Sequence, residues 1–282
     1  MIRVKVPATS ANLGVGFDTL GIALELYNEF EFEINQEDDV TLFEKSFQKD
    51  NLILKSYKYF FEYFNLNYIP VKIKQVVSNV PVSRGLGSSA TAIVAGILAA
   101  NYFSKKEASF SELLSIASNI EGHPDNVLPA LVGGFTGAYY SKEIKYNSFE
   151  FSDKLNIYLL IPNFIMSTSK SREVLPKEYK INDIVNNLSR IVFLPKAFEL
   201  GDMKLIRDAT VDSIHEPYRL PLIPNATRVI EKLENEHRKI LLSGSGSTLI
   251  MFTDEDLSID EILGFKVVKT KIERKGGCVY EI

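Results

Sequence analysis

PVSRGLGSSATAIVAG, residues 81–96, sets Gly85 and Gly87 directly ahead of Ser88 and Ser89, and an apolar run follows at once. The run reads as a buried helix starting near Ser88. The start of a helix carries unpaired backbone N–H groups and a partial positive charge. Glycines just before it let the backbone approach a ligand closely, because they lack Cβ and take positive φ. A phosphate fits such a place, and the hydroxyls of Ser88 and Ser89 can bond its oxygens or bind Mg²⁺. The pattern is neither the Gly-Lys-Ser/Thr loop of P-loop enzymes nor GxGxxG. A glycine turn with a serine cap accounts for the same residues, so this stretch alone leaves both readings open.

Two more glycine turns share its character. SANLGVGFDTLGIAL (10–24) is flanked by Asn12 and Asp18, and LLSGSGSTL (241–249) lies between two expected strands. Between them in sequence comes EGHPDN (121–126), which packs two carboxylates, an imidazole and an amide into six residues. Pro124 is expected to stiffen it as a loop. Ordinary turns also need glycine, but three Ser/Gly turns beside apolar elements add weight to the phosphate reading.

Composition narrows the class. The chain has 282 residues, 45% of them hydrophobic, enough for a substantial core in one large or two modest domains. A net charge of −4 lacks the basic footprint of nucleic-acid binding. Cys278 is the single cysteine, so no internal disulfide forms, which fits a cytoplasmic protein. MIRVKVPATSANLG has no signal-peptide core, and the uncharged run Ala90–Phe103 is too short for a bilayer, so no membrane partner is expected.

Strands alternate at RVKV (3–6), EFEFEI (29–34) and VKIKQV (71–76). Helical spacing marks 51–64 and 109–122, the latter with Ser109 or Ser111 as cap and Gly122 as stop. GGFTGAYY (133–140) reads as a strand entered by a tight turn. A second half begins with the strand at 154–162, continues with helices at 181–200, 202–214 and 227–236, and ends in strands at 239–253, 265–272 and 277–282. The mixture lacks even β-then-α alternation. It predicts an α+β chain of two domains, 1–150 and 151–282.

With these pieces in place the chain resembles the GHMP kinases, small-molecule kinases that include galactokinase and mevalonate kinase. PVSRGLGSSA resembles the family's ATP-phosphate loop, PATSANLGVGFD its N-terminal substrate motif and LSGSGST its C-terminal glycine motif. Ser247 stands where a proline often follows the last glycine. Within the family, SANLGVGFDTLGIAL, EGHPDNVLPALVGGF, STSKSREVLP (167–176) and HEPYRLPLIPN (215–225) resemble the members that phosphorylate L-homoserine.

The resemblance implies an N-terminal domain like the second domain of ribosomal protein S5 and a ferredoxin-like C-terminal domain. It implies ATP and Mg²⁺ as cofactors, L-homoserine as substrate and threonine biosynthesis as the setting, and leaves a homodimer open. ATP would lie against Pro81, Val82, Ser83, Arg84, Gly85, Leu86, Gly87, Ser88, Ser89, Ala90 and Thr91, with Asn51 near the adenine. Ser89 and Glu121 would hold Mg²⁺. Arg172 and Arg219 would bind the substrate carboxylate and Asp18 its ammonium, with Asn12 and His123 also lining the pocket. Asp125 and Asn126 would act on the hydroxyl, as base or as orienting groups. Other readings stay open: a kinase of the mevalonate type, a catalytically silent metabolite sensor, or an S5-like ribosomal module.

Overall fold

The computed structural model describes residues 1–44 and 51–282. The first sheet is built on β1 (Ile2–Asn12) and the long β2 (Gly16–Ile34), joined by β3 (Asp39–Thr41), β4 (Val71–Ser78), β5 (Phe135–Tyr140), β6 (Ile144–Phe149) and β12 (Cys278–Glu281). The alternation read at 3–6 and 29–34 has its physical basis here. Val4 faces Phe30 and Arg3 faces Glu31 across the β1–β2 pair. Ile2, Val4, Phe30 and Phe32 are buried under helices, while Arg3 and Glu31 form a cross-strand ion pair of 2.7 Å on the other face.

Four helices cover the apolar face: α1 (Leu52–Tyr63), α2 (Ser88–Ser104), α3 (Phe110–Glu121) and α4 (Pro124–Val132). Asn51 caps α1 through its carboxamide oxygen, and Ser109 with Glu112 forms a reciprocal capping box on α3, which Gly122 stops. The central α2 is rich in alanine and glycine, so neighbours come close; a Cβ on Gly96 would lie 2.4 Å from the Ile53 carbonyl oxygen. EGHPDN differs from the loop expected of it. Pro124 occupies the first position of α4, where its missing N–H costs nothing, so Asp125 and Asn126 ride on a helix start.

The second sheet runs in the order β10 (Glu261–Ile262), β11 (Phe265–Thr270), β7 (Asn156–Pro162), β9 (Leu249–Thr253), β8 (Arg238–Leu242). It is covered on both faces, so β7 reads as an unbroken apolar run. Ile157 and Leu159 join the core shared with β2 and the helices α7 (Leu194–Leu200) and α8 (Met203–Ala209), and Tyr158 and Leu160 join a separate core under α10 (Ala226–Leu233).

Two helical readings need correction. The 181–200 helix is two, α6 (Ile181–Ile191) and α7, and the 202–214 helix stops at Ala209. Beyond it Asp212 accepts hydrogen bonds from the backbone of Ile214, His215 and Glu216 and turns the chain. Much of the apolar surface of α6 faces outward, although Ile191 packs against the core. Asn187 is buried against Asp212, whereas Ile181, Val185 and Leu188 are more than half exposed. Among the described residues no helix is long and apolar enough to cross a membrane.

Candidate active site

The three glycine turns meet where the two sheets adjoin. Ser243 Oγ donates to the Gly85 carbonyl at 2.6 Å and lies 2.8 Å from Ser10 Oγ. The backbone of Thr248 donates to Arg84, that of Gly244 to Ala11 and that of Thr9 to Leu86. Asn12 Nδ2 adds a bond of 2.8 Å to the Gly244 carbonyl. These bonds fix residues far apart in sequence around a cavity of about 440 Å³.

On one side of the cavity stands the 81–91 segment. Gly87 caps α2 in the left-handed conformation and, among the described residues, no side-chain cap bonds the helix start, in contrast to the serine caps of α3 and α5 (Thr168–Glu173). Gly85 and Gly87 take positive φ, and packing also excludes a side chain at each: a Cβ would fall 2.2 Å from the Ser243 carbonyl oxygen and 2.0 Å from Thr9 Oγ1 respectively. Val82, Ser83, Arg84, Gly85, Gly87, Ser88 and Ser89 line the cavity; Leu86, Ala90 and Thr91 are turned into the protein. The Thr91 hydroxyl instead bonds Asn28, which in turn holds the Val80 backbone.

Ser89 Oγ donates to Glu121 Oε1 at 2.6 Å. Burial raises the Glu121 pKa despite this bond and the nearby His123. The pair therefore offers hard oxygen donors and an under-compensated carboxylate, a donor set that suits Mg²⁺ next to phosphate. Asn51 also lines the cavity; its buried Nδ2 finds no hydrogen-bond partner among the described residues.

Across the cavity the substrate candidates form one connected group. Asn12 Oδ1 accepts from the Asp18 backbone, so the two residues are set by the same turn. The Asp18 carboxylate and the Arg172 guanidinium make a two-pronged ion pair, with contacts of 2.7 and 3.0 Å. Arg219 is buried; its Nε donates to the Ser171 carbonyl at 3.0 Å. Burial, and then the charge of Arg172, lower its pKa to about 10, so it stays a cation at neutral pH.

His123, Asp125 and Asn126 stand between the two sides. His123 Nδ1 bonds Asp125 Oδ1. Burial opposes the imidazolium, but this bond and the Asp125 charge outweigh it and hold the His123 pKa above its ordinary value. Asn126 Oδ1 accepts from the Thr9 hydroxyl at 2.8 Å. Asp18, His123 and Asp125 bring ligand atoms within 4.8 Å of one another, yet each is already engaged, Asp18 by Arg172 and Asp125 by His123.

Sequence reasoning brought forward most of these residues but missed Thr9, Ser10 and Ser243. Their signal was present in PATSAN and LLSGSG, where small hydroxyl residues flank the turns.

The family model for the GHMP kinases N terminal domain matches residues 51–134, and that for the GHMP kinases C terminal matches residues 195–264. The chain belongs to the GHMP kinase family. It is 43% identical to a homoserine kinase of Clostridium beijerinckii over 90% of this chain and 87% of that one. A homoserine kinase of Clostridium acetobutylicum is 42% identical over 90% and 88%. The crystal structure of homoserine kinase from Cytophaga hutchinsonii shares the fold, with a TM-score of 0.83 at 24% identity over 99% of this chain and 96% of that one.

Proposed function

We propose that the chain is a homoserine kinase, which moves the γ-phosphoryl group of ATP to the side-chain hydroxyl of L-homoserine. The observation that carries this reading is one cavity with opposite chemistry on its two sides. An uncapped helix start lies beside a carboxylate on one side, and two arginines lie beside a carboxylate on the other. Phosphoryl transfer depends chiefly on positioning and on spreading negative charge.

Backbone N–H groups of Gly85–Ala90 cradle the phosphates. Glu121 and Ser89 hold Mg²⁺, which when bound neutralises charge on the phosphate oxygens. Arg172 and Arg219 take the substrate carboxylate in forked geometry, and Asp18 takes the ammonium. Asn126, fixed by Thr9, and Asp125 orient the hydroxyl. The Asp125 carboxylate is already engaged by His123 Nδ1 and Asn126 Nδ2, so in this reading Asp125 orients the group and the hydroxyl proton passes to phosphate.

In this reading residues 1–150 form the ATP-binding unit, although β12 from the 151–282 half completes their sheet, and the rest of 151–282 supplies both arginines. A homodimer belongs to it too, supported by the outward apolar face of α6, as does a cytoplasmic location, supported by the single cysteine. A mevalonate-type substrate lacks an ammonium and would leave Asp18 facing no cation but Arg172.

The test is a purified-protein kinase assay with L-homoserine, mevalonate and galactose side by side. Saturable Mg·ATP turnover of homoserine is expected. Turnover of only another substrate overturns the reading.

A further inference from the structure

Arg219 is a cation in an unusual setting. It is 2% exposed, and among the described residues no carboxylate lies within ion-pair distance of it. Two backbone carbonyls contact it, Ser171 at 3.0 Å and Gly244 at 3.5 Å. Arg172 adds a second positive charge nearby. Two guanidinium groups in one partly buried corner repel; the charges of Asp18 and Asp212 offset part of that from a distance, and the carbonyl dipoles add little.

Its direct side-chain partner is an aromatic ring. The guanidinium carbon of Arg219 lies 4.9 Å from the Phe17 ring centroid, and that of Arg172 lies 5.7 Å from the same centroid. Both are within the range of cation–π attraction. Phe17 is itself held by His215, whose ring stacks on it at 5.3 Å and an interplanar angle of 24°. His215 is fully buried and its Nε2 bonds the Gly14 carbonyl at 2.8 Å, which ties the ring stack to the turn that carries Phe17 and Asp18. Burial lowers the His215 pKa, so this imidazole adds no third positive charge.

We propose that Phe17 is a positioning residue for carboxylate recognition: its π face stabilises the two guanidinium groups and leaves their edge N–H donors to the substrate. The chemistry distinguishes a ring from an acid. A carboxylate partner would occupy the donor fork that substrate recognition needs, as Asp18 does in part for Arg172. A ring attracts the cation through its quadrupole and accepts none of the in-plane hydrogen bonds. Arg219, with no acid on its fork, is then the main carboxylate receptor. The proposal rests on the homoserine reading above and specifies how that substrate's carboxylate is met.

The experiment compares wild type, Phe17→Leu and Phe17→Tyr. Leucine keeps an apolar side chain and removes the π face; tyrosine keeps the face. Steady-state kinetics give KM and kcat for L-homoserine, and competition gives the inhibition constant of 3-aminopropan-1-ol, which lacks the carboxylate. Phe17→Leu is expected to raise the homoserine KM by about 5- to 30-fold, with kcat and the ATP KM nearly unchanged. The amino alcohol constant should move less than about twofold on the same principle. Phe17→Tyr should restore most of the homoserine KM, and thermal melts check that both variants fold. An unchanged homoserine KM in Phe17→Leu overturns the proposal, as do equal losses on both compounds or a tyrosine variant as impaired as the leucine one. Wild-type turnover of homoserine, measured first, tests the underlying reading separately. If wild type turns over no homoserine, that reading fails and the proposal with it.

Discussion

Asp18 and Arg172, expected at opposite poles of a zwitterionic substrate, grip each other through two hydrogen bonds of 2.7 and 3.0 Å. A bound amino acid must therefore share both partners, its ammonium with Arg172 for Asp18 and its carboxylate with Asp18 for Arg172. Arg219 has no such competitor. Arg219→Lys is accordingly expected to raise the homoserine KM by about 10- to 100-fold, and Arg172→Lys by less, because charge-assisted bonds contribute roughly 1.5–3 kcal/mol and lysine lacks the fork. Calorimetry with an ATP analogue should show affinity within about twofold of wild type for both, since the affected donors lie across the cavity from the cradle. Equal KM effects for the two arginines would contradict the asymmetry.

Glu121→Gln tests the metal side. The carboxamide keeps the bond to Ser89 but is a poor Mg²⁺ ligand. The variant should keep its fold and lose most of its activity, with the deficit largest at limiting Mg²⁺. A magnesium titration that superimposes on that of wild type would remove Glu121 from the ligand set.

Gly87→Val tests the cradle, and its effect has a specific origin. The new Cβ strikes Thr9 Oγ1, 2.0 Å away, and φ at this position is +66°. The loop must move, and with it the Thr9–Asn126 bond. Affinity for an ATP analogue should fall by at least about tenfold, the equivalent of 1.4 kcal/mol. Wild-type affinity in a folded variant would show that the loop does not touch nucleotide.

Glu216 gives a pH prediction. It is buried, accepts a hydrogen bond from the Leu242 backbone at 2.6 Å, and burial lifts its pKa to about 8. The folded chain thus keeps this proton when the unfolded chain has lost it. Stability contributed by the group is complete below the unfolded value near 4.5 and is lost as pH rises toward about 8. Glu216→Gln preserves the acceptor and has no proton to lose. Thermal melts should show it a few degrees more stable than wild type at pH 9 and nearly equal at pH 4.5. A difference independent of pH would show that Glu216 does not titrate between these limits.

The sequence exposed features whose cause is local. Ser109 and Gly122 bound a helix through bonds made within a few residues, and the alternation at 29–34 follows directly from the pleat. It was less informative where the cause lies elsewhere in the chain. Pro124, Asp125 and Asn126 look like a turn because two are polar and one lacks an N–H, yet a helix start tolerates all three. The period of 181–191 is truly helical, but period does not say which face is covered, and here buried Asn187 takes the inner side. Phe17 carries no local sequence signal beyond standing next to Asp18. Its importance comes from Arg172, Arg219 and His215, each more than 150 residues away.

The pairing of β12 with β1 has a consequence for how the molecule is made. Lys5 and Cys278, adjacent across that ladder, are 273 residues apart. While the chain is emerging from the ribosome, the outer backbone groups of β1 have no partner, and an unpaired strand edge invites pairing with other chains. Helices and sheets in between can fold first, but the outer edge of β1 is covered only after residues 278–281 have emerged. The nascent protein therefore carries an open β1 edge from the time residues 2–12 emerge until residues 278–281 arrive to pair with it.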